Sequence, residues 1–147
     1  MNNLPVKVQV LRPDFLPQYK TDGSAGLDLH ADIDNTAFIR PDEVIKVSTG
    51  LKVYLEDPGY AGIVIPRSGL GTSGLVLGNL VGLLDSDYQG PLTLALWNRT
   101  QEPILIHAGD RVAQLFVVPV AKVTWDVVDG FEVTARGEGG FGSTGSS

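Results

Sequence analysis

The 147-residue chain has no cysteine. Disulfide bonds and thiolate metal sites are therefore excluded. Two histidines, His30 and His107, are too few to build a structural zinc site. Positive charge is also scarce: eleven Lys and Arg stand against seventeen Asp and Glu, a net charge of −6. A nucleic-acid backbone is not an expected partner, because neutralisation of phosphates by basic surfaces dominates such binding. An acidic chain can still hold a small polyanion if it gathers its few arginines locally or recruits a metal cation. Long apolar runs are missing as well. The longest, around Leu75 to Leu84, is broken by Gly78, Asn79 and Gly82 and is far too short to cross a bilayer. Residues Met1 to Lys7 lack the charged and apolar regions of a secretion signal, so a cytoplasmic protein with no membrane segment is expected.

Helical periodicity is the last absence. No window of helical length carries a sustained i, i+3, i+4 apolar face, and eighteen glycines with nine prolines weigh against long helices. At most one short helix is expected, after Ser68 and within Gly71 to Leu75. What is present is short alternation of period two, beginning with Val6, Val8 and Val10 around Lys7 and Gln9. Similar runs cover Val44 to Val47, Leu51 to Leu55, Ala61 to Ile65, Leu92 to Trp97, Ile104 to Ile106, Val112 to Val118 and Val123 to Val128. Turn formers such as Asp57-Pro58-Gly59, Ala108-Gly109-Asp110 and Asp129-Gly130 separate them. The pattern predicts an all-β domain, a sandwich, jelly roll or barrel. Its apolar alternation stops near Thr134, so residues 1–134 read as one domain and 135–147 as a flexible, Gly-rich C-terminal arm.

Five segments carry possible chemistry. Ser24-Ala25-Gly26-Leu27-Asp28-Leu29 leads into a strand that holds one carboxylate, and a buried Asp28 needs a partner or a metal-bound water. Pro66-Arg67-Ser68-Gly69 follows a strand and offers a guanidinium fork, a hydroxyl and accessible amides, a set suited to phosphate. Asn79 to Gly90 reads as a hairpin or bulged loop that can meet the edge of a base, with Asn79 adding an amide and Tyr88 a flat face for a sugar. Asp85 and Asp87 within it are each able to deprotonate a water, and spacing alone does not separate them. Gln114 in Gly109-Asp110-Arg111-Val112-Ala113-Gln114 can donate to a phosphate oxygen, whereas Arg111 suits an ion pair equally well. The tail from Arg136 to Gly145 combines an arginine, the ring of Phe141 and the hydroxyls of Ser143 and Thr144 with glycine amides.

In this order the five segments resemble the motifs of the homotrimeric dUTP pyrophosphatase (dUTPase) family, and the resemblance spans nearly the whole chain. It implies a jelly-roll subunit, a threefold homotrimer with shared active sites, and Mg²⁺-dependent hydrolysis of dUTP to dUMP and pyrophosphate, which limits dUTP and supplies dUMP for thymidylate synthesis. By motif position Asp85, rather than Asp87, is implied as the base that primes water for attack on the α-phosphorus. Asn79, Leu83 and Leu84 are implied as the uracil reader, Tyr88 as the residue beneath the deoxyribose, and Thr93 as a further substrate contact. Arg67, Ser68, Gly69 and Gln114 match the phosphate binders. In the arm, Phe141 is implied to stack on uracil, with Arg136, Ser143 and Thr144 on the phosphates and Gly142 as a further substrate contact. Asp28 resembles a carboxylate that meets Mg²⁺ through water while the substrate phosphates hold most of the ion. Gln89 stands where many members carry arginine. A dCTP deaminase or a bifunctional relative on the same fold is one alternative; a non-catalytic trimeric nucleotide-binding β-domain is another.

Overall fold

The structure is a computed structural model and describes residues 3–140. Apolar alternation becomes strand wherever a neighbour can satisfy the backbone. Ten strands form among the described residues: β1 (Lys7–Val10), β2 (Leu27–His30), β3 (Ala37–Ile39), β4 (Val44–Tyr54), β5 (Tyr60–Ile65), β6 (Leu75–Leu77), β7 (Gly82–Leu84), β8 (Pro91–Asn98), β9 (Ile104–Ile106) and β10 (Arg111–Pro119). One 3₁₀ turn covers Pro13–Phe15, and the one α-helix among the described residues, α1, covers Ser68–Thr72. The helix thus starts a few residues earlier than the glycine-bounded window suggested, because the backbone turns as soon as Pro66 has ended β5.

Two four-stranded sheets, ordered β1-β4-β8-β6 and β2-β10-β5-β7, and a small β3-β9 sheet make up the jelly roll. All pairings are antiparallel, and consecutive strands repeatedly switch sheets. One core cluster draws Val47, Leu51, Leu94, Leu96, Leu75 and Leu77 from the first sheet and Leu29, Val64, Leu84 and Leu115 from the second. Fully burying such side chains stabilises by about 1.5–3 kcal/mol each before entropy is counted. Two polar residues are fully buried and fully used. Thr49 Oγ1 donates to Leu92 O at 2.8 Å, and Asn98 Nδ2 donates to Ile39 O and Glu102 O while its Oδ1 accepts from Thr100. Asn98 thereby fastens the end of β8 to β3 and to the following turn.

Two expectations need correction. The Val123–Val128 alternation forms no strand among the described residues. Among the described residues little covers its side chains: Trp125 is 84% exposed and Val127 93%. The stretch from Asn79 to Gly90 is not a self-paired hairpin either. β7 pairs with β5 in one sheet, while β6 and the following β8 pair with each other in the other sheet. The strands on either side of the turn diverge, and the wedge between them is open.

Candidate active site

That wedge is a cleft of about 300 Å³. Asn79, Leu83, Leu84, Asp85, Tyr88 and Thr93 all line it, together with Val64, Pro91 and Ala95 among others. Apart from Phe141, which lies outside the described residues, every residue implied for the base, the sugar and the reacting water is therefore in one place. β7 is the edge strand of its sheet, with only β5 beside it. Successive residues of an edge strand turn their N–H and C=O alternately toward the partner and away from it. Either Leu83 or Leu84 consequently offers a donor–acceptor pair to the open side. The pair of carboxylates separates here as well: Asp85 lines the cleft and Asp87 does not. The Asp85-to-Tyr88 turn closes on a Tyr88 N–H to Asp85 O hydrogen bond of 3.2 Å, and the Tyr88 hydroxyl donates to Pro91 O at 3.0 Å.

A second cluster forms on β2, β10 and the end of β5. Gln114 pairs with Asp28 on one side and Ile65 on the other, so three strands bring these residues level. A β-bulge between Arg111 and Ala113 sets the phase. In a regular strand residues three apart face opposite sides. Here Val112 and Ala113 are both buried, and Arg111 and Gln114 emerge on the same outer face as Asp28. Arg67 Nε donates to Asp28 Oδ1 at 2.9 Å, Arg111 Nη1 donates to Asp28 Oδ2 at 3.1 Å, and Arg67 Nη1 reaches Arg111 O at 3.3 Å. The Asp28 side chain is only 16% exposed, so the two guanidiniums supply the partners its charge needs. Gln114 Nε2 donates to Pro66 O at 3.0 Å and ties β10 to the Arg67 loop. Ser68 and Gly69, at the start of α1, are exposed. A Cβ at Gly69 would meet nothing within 4 Å, leaving that backbone open to approach.

His30 lies beside this cluster on β2, opposite Arg111. Burial lowers its pKa below the ordinary histidine value, opposed by the Asp28 charge. Its Nδ1 is buried without a partner, and its ring stacks on Phe15 at 5.4 Å between centroids.

The donor set also bears on a divalent cation. Among the described residues no three His, Asp or Glu side chains gather around one point. Each Asp28 oxygen already accepts from an arginine but keeps a further lone pair. Such a site fits a magnesium ion that arrives with most of its oxygen ligands, as on a triphosphate, and touches Asp28 only through water.

The two clusters do not meet within one chain. None of Asp28, Arg67, Ser68, Gly69 or Gln114 lines the cleft. Leu84 pairs with Gly62, so Asp85 lies at the Tyr60 end of β5, whereas Arg67 follows its other end. At about 3.3 Å per residue these levels are about 20 Å apart. Arg136 sits in an exposed turn, its Nε donating to Gly139 O at 3.1 Å. Phe141, Gly142, Ser143 and Thr144 lie outside the described residues. Sequence reasoning passed over Pro91 and Ala95, which line the cleft from β8 without any motif to mark them.

A family model for dUTPase matches residues 14–145. The deoxyuridine 5'-triphosphate nucleotidohydrolase of Haemophilus influenzae (strain PittEE) is 56% identical over 131 residues, covering 88% of this chain and 87% of that protein. The enzyme of the same name from Neisseria meningitidis serogroup C is 51% identical over 148 residues, 98% of this chain and 99% of its own length. Among solved structures, the Staphylococcus bacteriophage 80alpha dUTPase with dUpNHpp matches with a TM-score of 0.82 at 26% identity, covering 98% of this chain and all of that one.

Proposed function

The chain belongs to the dUTPase family, whose reaction is the hydrolysis of dUTP to dUMP and pyrophosphate, and we propose that it carries out this reaction at sites shared between copies of itself. The observation that carries the reading is the gathering of Asn79, Leu83, Leu84, Asp85, Tyr88 and Thr93 around one cleft. Uracil enters the wedge between β7 and β8. Its imide N–H and carbonyls are complementary to an edge-strand donor–acceptor pair and to the Asn79 amide, and a wrong base would leave these groups unpaired. The deoxyribose rests on Tyr88.

The triphosphate then runs toward Arg67, Ser68, Gly69 and Gln114 of a second copy, since those of the same chain lie too far away. Asp85 accepts a proton from a water, whose oxygen attacks the α-phosphorus in line. The bond from that phosphorus to the bridging oxygen breaks, and pyrophosphate leaves. Little covalent work falls to the protein, so positioning and charge neutralisation dominate. Magnesium on the phosphates would supply further neutralisation, with Asp28 meeting it through water. A homotrimer accounts for the sharing and for the bare apolar side chains of Val123, Trp125, Val127, Phe131 and Val133, which need a surface beyond their own chain. Residues 135–147 serve as an arm that closes over a site, Phe141 on the base and Arg136, Gly142, Ser143 and Thr144 on the phosphates. The substrate pool makes the setting cytoplasmic.

The test is pyrophosphate release from dUTP, dTTP, dCTP and UTP, with and without Mg²⁺. Strong preference for dUTP with Mg²⁺ is expected. Ammonia released from dCTP would point to a deaminase, and inertness toward all four to a non-catalytic binding domain.

A further inference from the structure

The turn after Asp85 contains a glycine with an unusual reason to be there. The Tyr88 hydroxyl reaches Pro91 O, three residues along, and to do so its ring lies across residue 90. A Cβ built on Gly90 would sit 2.4 Å from the Tyr88 Oη, 2.7 Å from Cζ and 3.1 Å from Cε2. All are inside contact distance. The backbone gives no other motive, because Gly90 is not among the positive-φ glycines of the described residues, which are Gly50, Gly74, Gly109 and Gly137. An alanine could adopt this conformation. It could not coexist with the ring.

The ring has little else to hold it. Tyr88 is 43% exposed, so its place is set by the bond to Pro91 and by the slot that Gly90 leaves empty. We infer that Gly90 is a positioning residue for sugar selection: by having no side chain it lets the tethered Tyr88 ring lie close against the turn, where it is a fixed wall beneath the nucleoside. This rests on the reading above, in which the deoxyribose lies on Tyr88. A wall held at one height can exclude the extra oxygen of a ribose. A ring pushed out of its slot loses both the tether and the fixed height. Because the clashing atoms are the far end of a solvent-exposed side chain, a substitution at 90 moves the ring and leaves the β-sheets alone.

The experiment compares kcat/KM for UTP and dUTP, by pyrophosphate release, in the unmodified protein and in Gly90→Ala, Tyr88→Phe, Tyr88→Ala and the double variant Gly90→Ala/Tyr88→Ala. Thermal unfolding is followed in parallel. Gly90→Ala should raise the UTP-to-dUTP ratio about tenfold, the scale of a single misplaced steric contact, with little change in melting. Tyr88→Phe keeps the ring but loses the tether and should raise the ratio less. In the Tyr88→Ala background, Gly90→Ala should change nothing further, since no ring remains to displace. An unchanged ratio in folded Gly90→Ala overturns the inference, as does an equal shift with and without Tyr88. A Gly90→Ala protein that does not fold overturns it too, because the backbone rather than the ring would then have given way. Unmodified protein that leaves dUTP intact would instead sink the functional reading, and this inference with it.

Discussion

The cleft and the Asp28 cluster are built by opposite means. The cleft comes from strands that part company: β7 goes to one sheet, β8 to the other, and the space between is lined by apolar side chains with Asn79, Asp85, Tyr88 and Thr93 among them. The cluster comes from strands that stay together, with β2, β10 and β5 holding an aspartate, a glutamine and two arginines in register. Shape is therefore complete within one chain, while the charge that a triphosphate needs lies about 20 Å off along β5. The ion pairs are not there for stability alone. Arg111 is 45% exposed, and pairs of that exposure contribute at most about 1 kcal/mol. What they supply is aim, holding Arg67 at one orientation on the outer face. A chain with so few cations keeps two of them preassembled on one outer face.

The sharpest way to break this comparison is to damage each half in a different chain. Asp85→Asn and Arg67→Ala should each lower turnover by about 10³-fold, the usual scale for a catalytic base or a charged clamp. Co-expressed with separate tags and purified as mixed trimers, the two variants should recover roughly a third of unmodified activity, because one of the three sites in any mixed trimer takes an intact Asp85 from one chain and an intact Arg67 from another. If both groups act within one chain, every site keeps a lesion and no recovery appears. Mixed assemblies no more active than their parents would end the idea of shared sites.

A smaller loss is expected from removing residues 131–147. Phe131 and Val133 are 94% and 99% exposed, so the described part of this segment contributes nothing to its own chain's core. Turnover should fall by about 10²-fold or more, as expected when a closing element that positions substrate is lost. Circular dichroism should stay close to that of the full chain, and melting should fall only by the small amount set by losing Phe131 and Val133 from a contact between copies. A truncated protein that melts as a whole would make the tail a structural element shared by neither half of the site.

Much of this was legible in the residues. Alternation located most strands, and their turn formers placed the boundaries, because period-two burial needs only one covered face to leave its mark. Alternation carries no information about partners, however. Asn79 to Gly90 reads as a hairpin or bulged loop, yet its one strand, Gly82–Leu84, pairs with β5 rather than within the stretch. The Val123–Val128 run is equally apolar and has no strand beside it in this chain. The bulge at Val112 could not be foreseen either, since it exists only relative to β2, and it decides that Arg111 and Gln114 face the same way. Two glycines carry no such mark: Gly26 and Gly90 each make room for a side chain distant or folded back in space.

Gly26 offers the smallest and most discriminating test. A Cβ there would lie 2.6 Å from Gln114 Oε1, so Gly26→Ala must move that amide and weaken its bond to Pro66 O, which links β10 to the Arg67 loop. The displaced group is again the end of a side chain, and the fold should survive. Loss of one such hydrogen bond in a charged setting weakens binding about tenfold. If the two halves are separate, calorimetry should show that loss for a non-hydrolysable dUTP analogue while deoxyuridine, which has no phosphates, binds as before. Gly90→Ala should give the converse pattern, with its effect already present for the nucleoside alone. Equal weakening of both ligands by Gly26→Ala would mean that the cluster and the cleft respond as one body, and the contrast between them would no longer hold.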